Sequence, residues 1–340
     1  MSMNAQQPAD RSADLAEDLE PTARLIAEKA DTTASQQEKA HRPISRGRLV
    51  WRRLKGKPNF YIGGAIVLAI VAFALFGDLF NIYTQGQQDS FNFNSPPSAQ
   101  HYFGTDAIGV DLYASMTSAL RTSLLIGFLA APTATLVAAI MGSLAGYLGG
   151  PFEMFTNWLI NLLLVLPVFY VLMIVSPAIA DPSNLPGAIQ WLGFMPAWGL
   201  LVIAIGLFSW MIMAQIVKNQ TKSLKEREYV KAARYMGVST PTILRRHIIP
   251  NVASLLIIDG ALGVAGAILA ETSLSFFGLG IQAPDVSLGT LLQDGTGAAV
   301  SRPWLFVIPA SFLIALLTGV ALVGDALRDA IDPTSEVNRA

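Results

Sequence analysis

The chain has 340 residues, 52% of them hydrophobic and only 14% charged, with a mean hydropathy of +0.47. A soluble domain carries roughly 25% charged residues, so this composition excludes an ordinary soluble protein and points to a chain that lives in a bilayer. The net charge of −1 is uninformative because the charges are segregated by segment, and the absence of cysteine excludes disulfides, cysteine-ligated zinc and thiol chemistry.

His41, His101 and His247 fall in separate segments with no ligand spacing among them. There is no phosphate-binding glycine loop ending in Gly-Lys-Ser/Thr and no Gly-x-Ser-x-Gly. No group of residues reads as a catalytic, cofactor-binding or metal site.

Residues 1–40 hold eight acidic and four basic residues among Ala, Gln, Ser and Thr. They read as a disordered cytoplasmic tail with a transient helix near Asp14 to Lys29. The tail lacks the short apolar core of a signal peptide, so we expect it to be retained. From Arg42 to Lys57 the sign flips to seven Lys/Arg and no acid, with Leu49, Trp51 and Leu54 interleaved among Arg52, Arg53 and Lys55. Segment 41–58 reads either as a short helix at an anionic lipid surface or as the basic flank of the first span.

Six predicted spans follow at 59–80, 120–148, 156–180, 197–217, 252–272 and 304–324. Each is about the length a bilayer core needs, roughly 20 apolar residues. The predicted fold is therefore an all-α integral membrane protein with six transmembrane helices, its transmembrane domain over 59–324 and a C-terminal tail at 325–340. The second span has room to begin as a surface helix. Pro132, Pro167 and Pro309 fall inside spans, where neighbouring helices can satisfy the freed carbonyls. Gly142 and Gly146 form a small-xxx-small pair, and Gly260, Gly263 and Gly266 crowd one span. Glycine is common in membrane helices, so neither group by itself proves a contact.

Segments 1–58 and 218–250 carry eleven and eight of the 23 Lys/Arg, and Arg328 and Arg339 lie in the C-terminal tail. With six spans these segments share one side, so the positive-inside rule puts both termini and 218–250 in the cytoplasm. Loops 81–119, 181–196 and 273–303 then face outside.

Within 218–250 and just beyond lies a polar island, Glu226 to Asn251, reading EREYVKAARYMGVSTPTILRRHIIPN. From composition alone it is a solvated connector, but its residue order has the grammar of two short helices. Glu226 to Met236 is rich in helix formers, and Gly237 suits a helix C-terminus that needs positive φ. Ser239 or Thr240 can cap a second helix with Pro241 at its first position, and Pro250 closes the stretch.

The island resembles the signature loop of binding-protein-dependent ABC importer permeases: Glu-Ala-Ala, three residues, Gly, nine residues, then Ile-x-Leu-Pro. Here the positions are Lys231-Ala232-Ala233, Gly237 and His247-Ile248-Ile249-Pro250, with the spacing kept throughout. Lys231 replaces the leading Glu, a charge reversal. HYFGTDAIGVD (101–111), ETSLSFFGLGIQAPDVSLGTLLQDG (271–295) and VGDALRDAIDP (323–333) are similar to motifs of the second permease subunit in the dipeptide, oligopeptide and nickel importers. Val110 stands where an Arg is usual. GYLGG (146–150), QTKSLKEREYVKAA and the RHIIPN ending look most like the oligopeptide members.

The resemblance implies a type I ABC importer transmembrane domain in a bacterial plasma (inner) membrane. It implies a heterodimer with a second permease, two ATPase subunits that hold ATP and Mg, and an extracytoplasmic peptide-binding protein. It implies no cofactor in this chain, no nucleic-acid partner and no ATP hydrolysis by the chain itself. Lys231, Ala232, Ala233, Gly237, Thr240, Pro241, Arg245, Arg246, His247 and Pro250 would form the ATPase-coupling surface, with a docking helix starting near Thr240. Lys231 would repel a basic partner that met the family's Glu. Arg245 and Arg246 would pair either with ATPase carboxylates or with lipid phosphates.

Asn157, Asn161, Gln215, Asp259 and Glu271 would line the translocation path, since intramembrane polar groups are functional by default. Glu271, at the outer end of its span, suits a structural hydrogen bond to loop 273–303 better than ligand contact. The same architecture could carry dipeptides, nickel or another small solute. Two readings of other classes are an ion-gradient-driven transporter, which would need a mid-membrane carboxylate relay, and a membrane scaffold, which would leave the signature spacing unexplained.

Overall fold

The computed structural model describes residues 46–180, 187 and 195–331. The expected tail 1–40, nearly all of loop 181–196 and residues 332–340, including Arg339, lie outside them.

The described residues form helices α1 (Arg46–Leu54), α2 (Pro58–Phe76), α3 (Leu112–Leu148), α4 (Gly150–Val165), α5 (Val168–Ala180) and α6 (Ala197–Ser209). Helices α7 (Met211–Lys225), α8 (Glu228–Tyr235), α9 (Thr240–Phe276), α10 (Leu288–Thr296) and α11 (Trp304–Ile331) complete the set. Extended pairing among them is limited to two isolated bridges, Gln88 with Val110 and Thr105 with Asp111.

The chain divides into two units at Arg52/Arg53, and the second carries the bundle. Four segments are long and apolar enough to cross a membrane: Pro58–Phe80, Leu112–Leu148, Thr240–Phe276 and Trp304–Ile331. Two bent pairs, α4 with α5 and α6 with α7, bring the number to six if each pair is one span.

The third predicted span is not one helix. Helices α4 and α5 meet at 82°. Leu166 is extended (φ −72, ψ 123), as the ring of a following proline favours, and Pro167 has no N–H to carry the ladder across. Pro132 and Pro309, by contrast, are absorbed within α3 and α11. The fourth predicted span bends by 46° at Trp210. One residue earlier the Ser209 hydroxyl bonds back to the Ile205 carbonyl, a contact that bends helices. Helix α7 then continues past the predicted boundary at 217 to Lys225.

The fifth span departs furthest from expectation. The short helix expected near Thr240 and the span expected from 252 are one rod, α9. Pro250 opens the rod's regular α-helical part instead of closing the island. The rod accommodates it with a π turn over Leu244–Ile248, where the Ile249 N–H reaches back to the Leu244 carbonyl. The 273–303 segment contains α10, capped reciprocally by Ser287 and Thr290.

Helix α3 is the centre of the bundle and packs against α2, α6, α7 and α9. Its apolar core joins Met116, Leu120 and Ile126 to Ile268 and Leu274 of α9, Leu288 of α10 and Leu316 of α11. The Gly142 and Gly146 pair is a true contact. A Cβ at Gly142 would meet the Ala214 carbonyl of α7, and one at Gly146 would meet the Lys218 carbonyl. Of the glycines in α9, Gly263 abuts Ala131, whereas Gly266 has nothing within 4 Å of a built Cβ.

Candidate functional site

The island folds as a hairpin of α8 and the first turns of α9. Helix α8 ends in a Schellman turn. The Val238 N–H bonds the Ala233 carbonyl at 3.1 Å, and the Gly237 N–H bonds the Arg234 carbonyl at 3.0 Å. Gly237 sits at φ +76, so the turn uses a conformation that side-chain-bearing residues avoid. Ser239 takes the N-cap position without a side-chain bond to the backbone, and Pro241 falls second in the helix instead of first.

A small apolar core holds the hairpin in place: Val230, Ala233, Ile243, Leu244 and Ile248 pack with Tyr147 of α3. The two signature alanines therefore part company. Ala233 closes the hairpin on its own chain, and Ala232 faces solvent. His247 is tilted against the Tyr229 ring at 6.1 Å, and its carbonyl accepts the Asn251 amide. Arg245, Arg246 and Pro241 are exposed, and with the partly buried Thr242 they line a cavity of about 210 Å³. Thr240 and His247 are partly buried and Pro250 is exposed. Lys231 is exposed and forms an ion pair with Glu226 at 2.9 Å.

Residues 138–336, more than half of the chain, match the family described as the inner membrane component of binding-protein-dependent transport systems. The chain belongs to this permease family. Residues 45–97 also match the N-terminal TM domain of oligopeptide transport permease C. The chain is 46% identical to the oligopeptide transport system permease protein OppC of Mycobacterium tuberculosis over 250 residues, 73% of this chain and 81% of that protein. It is 37% identical to the protein of the same name in Escherichia coli over 294 residues, 84% of this chain and 92% of that one. It is 34% identical to the dipeptide transport system permease protein DppC of Bacillus subtilis over 285 residues, 83% of this chain and 84% of that one.

Within this permease the polar span residues do not gather into one site. Asn157 accepts a hydrogen bond from Lys218 of α7, one turn from the ion pair of Glu153 and Lys222. It cross-links two helices near the island. Asn161 is exposed on α4 and Gln215 is partly buried on α7. Asp259 is partly buried and accepts the Thr135 hydroxyl at 2.7 Å.

Glu271 is fully buried and tied to the 273–303 segment. It accepts hydroxyls from Ser123 at 2.9 Å and Ser275 at 2.7 Å. Each serine oxygen in turn accepts a backbone amide, that of Leu288 at the start of α10 for Ser123 and that of Ile281 for Ser275. A hydroxyl that donates to a carboxylate and accepts from an amide has its natural valence filled in both directions. Sequence reasoning missed Ser123, Ser275, Thr135 and Glu226. For Ser123, Ser275 and Thr135 the one signal available was a polar residue inside an apolar segment, and for Glu226 it was an acid five residues before Lys231 in a basic stretch.

The 101–111 motif is the scaffold of the loop before α3. Asp111 caps α3 through the Ala114 N–H and holds buried His101 at 2.7 Å. His101 stacks on Tyr83, with centroids 4.6 Å apart. The Asp106 carboxylate accepts the N–H groups of Ile108 and Val110, an Asx-type turn. Asp89, in the same loop, is held below the usual carboxylate range, chiefly by the Asn92 amide.

Proposed function

We propose that this permease is a subunit of an ATP-driven importer of oligopeptides in a bacterial plasma membrane. It forms the pathway with a second permease, receives peptide from an extracytoplasmic binding protein, and couples to two ATPase subunits that carry ATP and Mg. The observation that carries this reading is the α8–α9 hairpin. It is basic, exposed, and continuous through α9 with a membrane-crossing rod. Displacing the hairpin moves the rod, because no flexible joint separates them, and a partner can shift a conformational equilibrium only through such a differential contact.

The Lys/Arg distribution supports a cytoplasmic island, with residues 1–58 and the C-terminal tail from 325 on the same side. Segment 41–58 suits a lipid-surface helix: α1 places Arg46, Arg48, Arg52 and Arg53 on a short helix with exposed Trp51. The names of the relatives favour oligopeptides, with dipeptides as the second reading because one relative is named a dipeptide permease. Membership of this family sets aside the ion-gradient-driven and scaffold readings.

The test is purification with associated subunits and reconstitution in vesicles. ATPase subunits and a peptide-loaded external protein should co-purify, and uptake of that peptide should require ATP. Uptake that persists without ATP and collapses with an ion gradient would refute the reading.

A further inference from the structure

The charge reversal at Lys231 is answered inside the chain. The Lys231 ammonium bonds Glu226, which lies in the turn between α7 and α8. Each partner holds the other in its charged form. The hydrogen bond to Glu226 pushes Lys231 above its ordinary value, and the bond to Lys231 draws Glu226 below its own.

This pair forms one wall of a cavity of about 320 Å³, completed by Tyr147, Lys225, Arg234 and Tyr235. The cavity carries three cations and one carboxylate, and the internal pair cancels one of each. Lys225 sits 5.6 Å from the Tyr147 ring centroid, a cation–π contact that leaves its charge uncancelled. No hydrogen bond or ion pair to another described residue holds the Arg234 side chain. The lining therefore keeps a net positive charge, although Glu226 also attracts Lys225 and Arg234 at longer range.

Two large side chains beside the cavity are bare. Tyr235 is 88% exposed and Met236 76%, both at the Gly237 turn. Aromatic, Met and Arg side chains are the ones enriched in protein interfaces. The guanidinium fork suits a planar carboxylate bound through two parallel N–H donors. Glu226 and Glu228 beside the cavity disfavour a broadly anionic surface such as a membrane, while leaving room for a single carboxylate.

We propose that this cavity receives a carboxylate side chain of an ATPase subunit, with Arg234 and Lys225 as its receptors and Tyr235 and Met236 as the surrounding apolar contact. Lys231 is then no receptor. It neutralises Glu226, which would otherwise repel the incoming acid. A partner that presents a cation to this point, as one matched to the family's Glu would, is refused by Lys225 and Arg234, so the cavity sets which ATPase the permease accepts. The inference rests on the docking role proposed above.

The test uses the full complex in detergent and in vesicles. Arg234→Glu should weaken ATPase association by about tenfold or more, in line with reversal of one interfacial charge pair, and the loss should shrink at high salt. Lys231→Glu restores the residue of the family signature, yet it should also weaken association, because it sets two carboxylates at the cavity wall. The double variant Lys231→Glu with Glu226→Lys rebuilds the internal pair with opposite polarity and should recover association. All three sites are exposed, and unchanged yield and melting temperature of the permease would confirm that each variant folds.

If Arg234→Glu and Lys231→Glu both leave association unchanged in complexes that assemble and import normally, the cavity takes no ATPase carboxylate and the proposal fails. Unchanged ATPase association with lost binding to vesicles containing anionic lipid would assign the cavity to phosphate headgroups and overturn it too. A wild-type permease that binds no ATPase at all would instead defeat the docking reading on which the cavity rests.

Discussion

Ser123 donates its hydroxyl to Glu271 at 2.9 Å while the same oxygen accepts the Leu288 amide at 3.2 Å. Ser275 repeats the arrangement with Ile281. One buried carboxyl group thus ties two points of the connection from α9 into α10, Ile281 and Leu288, through two serines. The buried carboxyl group is satisfied by hydroxyl partners, as a buried polar group must be.

Replacing Glu271 with Leu should remove the acceptor from both serines and free the loop. An unsatisfied buried group costs about 1–3 kcal/mol. That corresponds to roughly tenfold to hundredfold faster exchange of the Ile281 and Leu288 amides, if they exchange by local opening. Hydrogen exchange resolved at those residues checks it. Unchanged exchange together with lost peptide uptake would return Glu271 to the translocation path.

Gly237→Val should disturb coupling and leave the bundle intact. A built Cβ meets nothing within 4 Å, so the penalty is conformational only, about 1–2 kcal/mol for positive φ. The Schellman turn then opens and α8 tilts against α9. ATPase assembly, ATP hydrolysis and uptake should be measured separately in vesicles. The expected outcome is weaker assembly or less uptake per ATP, with peptide binding by the external protein unaltered. Wild-type uptake per ATP at normal subunit stoichiometry would show that the turn does not couple.

Gly146→Leu should destabilise the bundle where Gly266→Ala does not. At Gly146 the added carbon runs into the Lys218 carbonyl and the Thr221 side chain, and overpacking of this kind costs about 1–3 kcal/mol. At Gly266 it enters open space. Melting temperatures of the two variants in one detergent should separate clearly. Equal values would mean that α3 and α7 are not in contact there.

Single cysteines at Ser98 and Ser223, both exposed in a chain that otherwise has none, test the proposed topology. An impermeant thiol reagent added outside intact cells should label the first and reach the second only after lysis. Labelling of both from outside would invert or abolish the assignment.

The amino-acid sequence by itself determined the membrane-embedded, all-helical class, the basic island and the positive-φ turn at Gly237. These rest on local quantities: apolar length against bilayer thickness, Lys/Arg segregation, and the backbone freedom of one residue. It did not determine how the elements join. Pro167 and Pro132 are chemically alike, yet one breaks its span and the other sits within α3, because neighbouring packing decides whether the lost hydrogen bond is tolerated. Pro250 read as a stop and instead lies within a continuous rod, because the π turn before it absorbs the missing N–H. Lys231 read as a charge facing a partner, and only the fold set Glu226 against it across the turn into α8. Glu271 and Ser123 meet across a separation of 148 residues, a distance no periodicity spans. Composition and local geometry are properties of a stretch of chain, whereas a hydrogen-bond partner or an ion pair belongs to whichever segments the packed helices bring together.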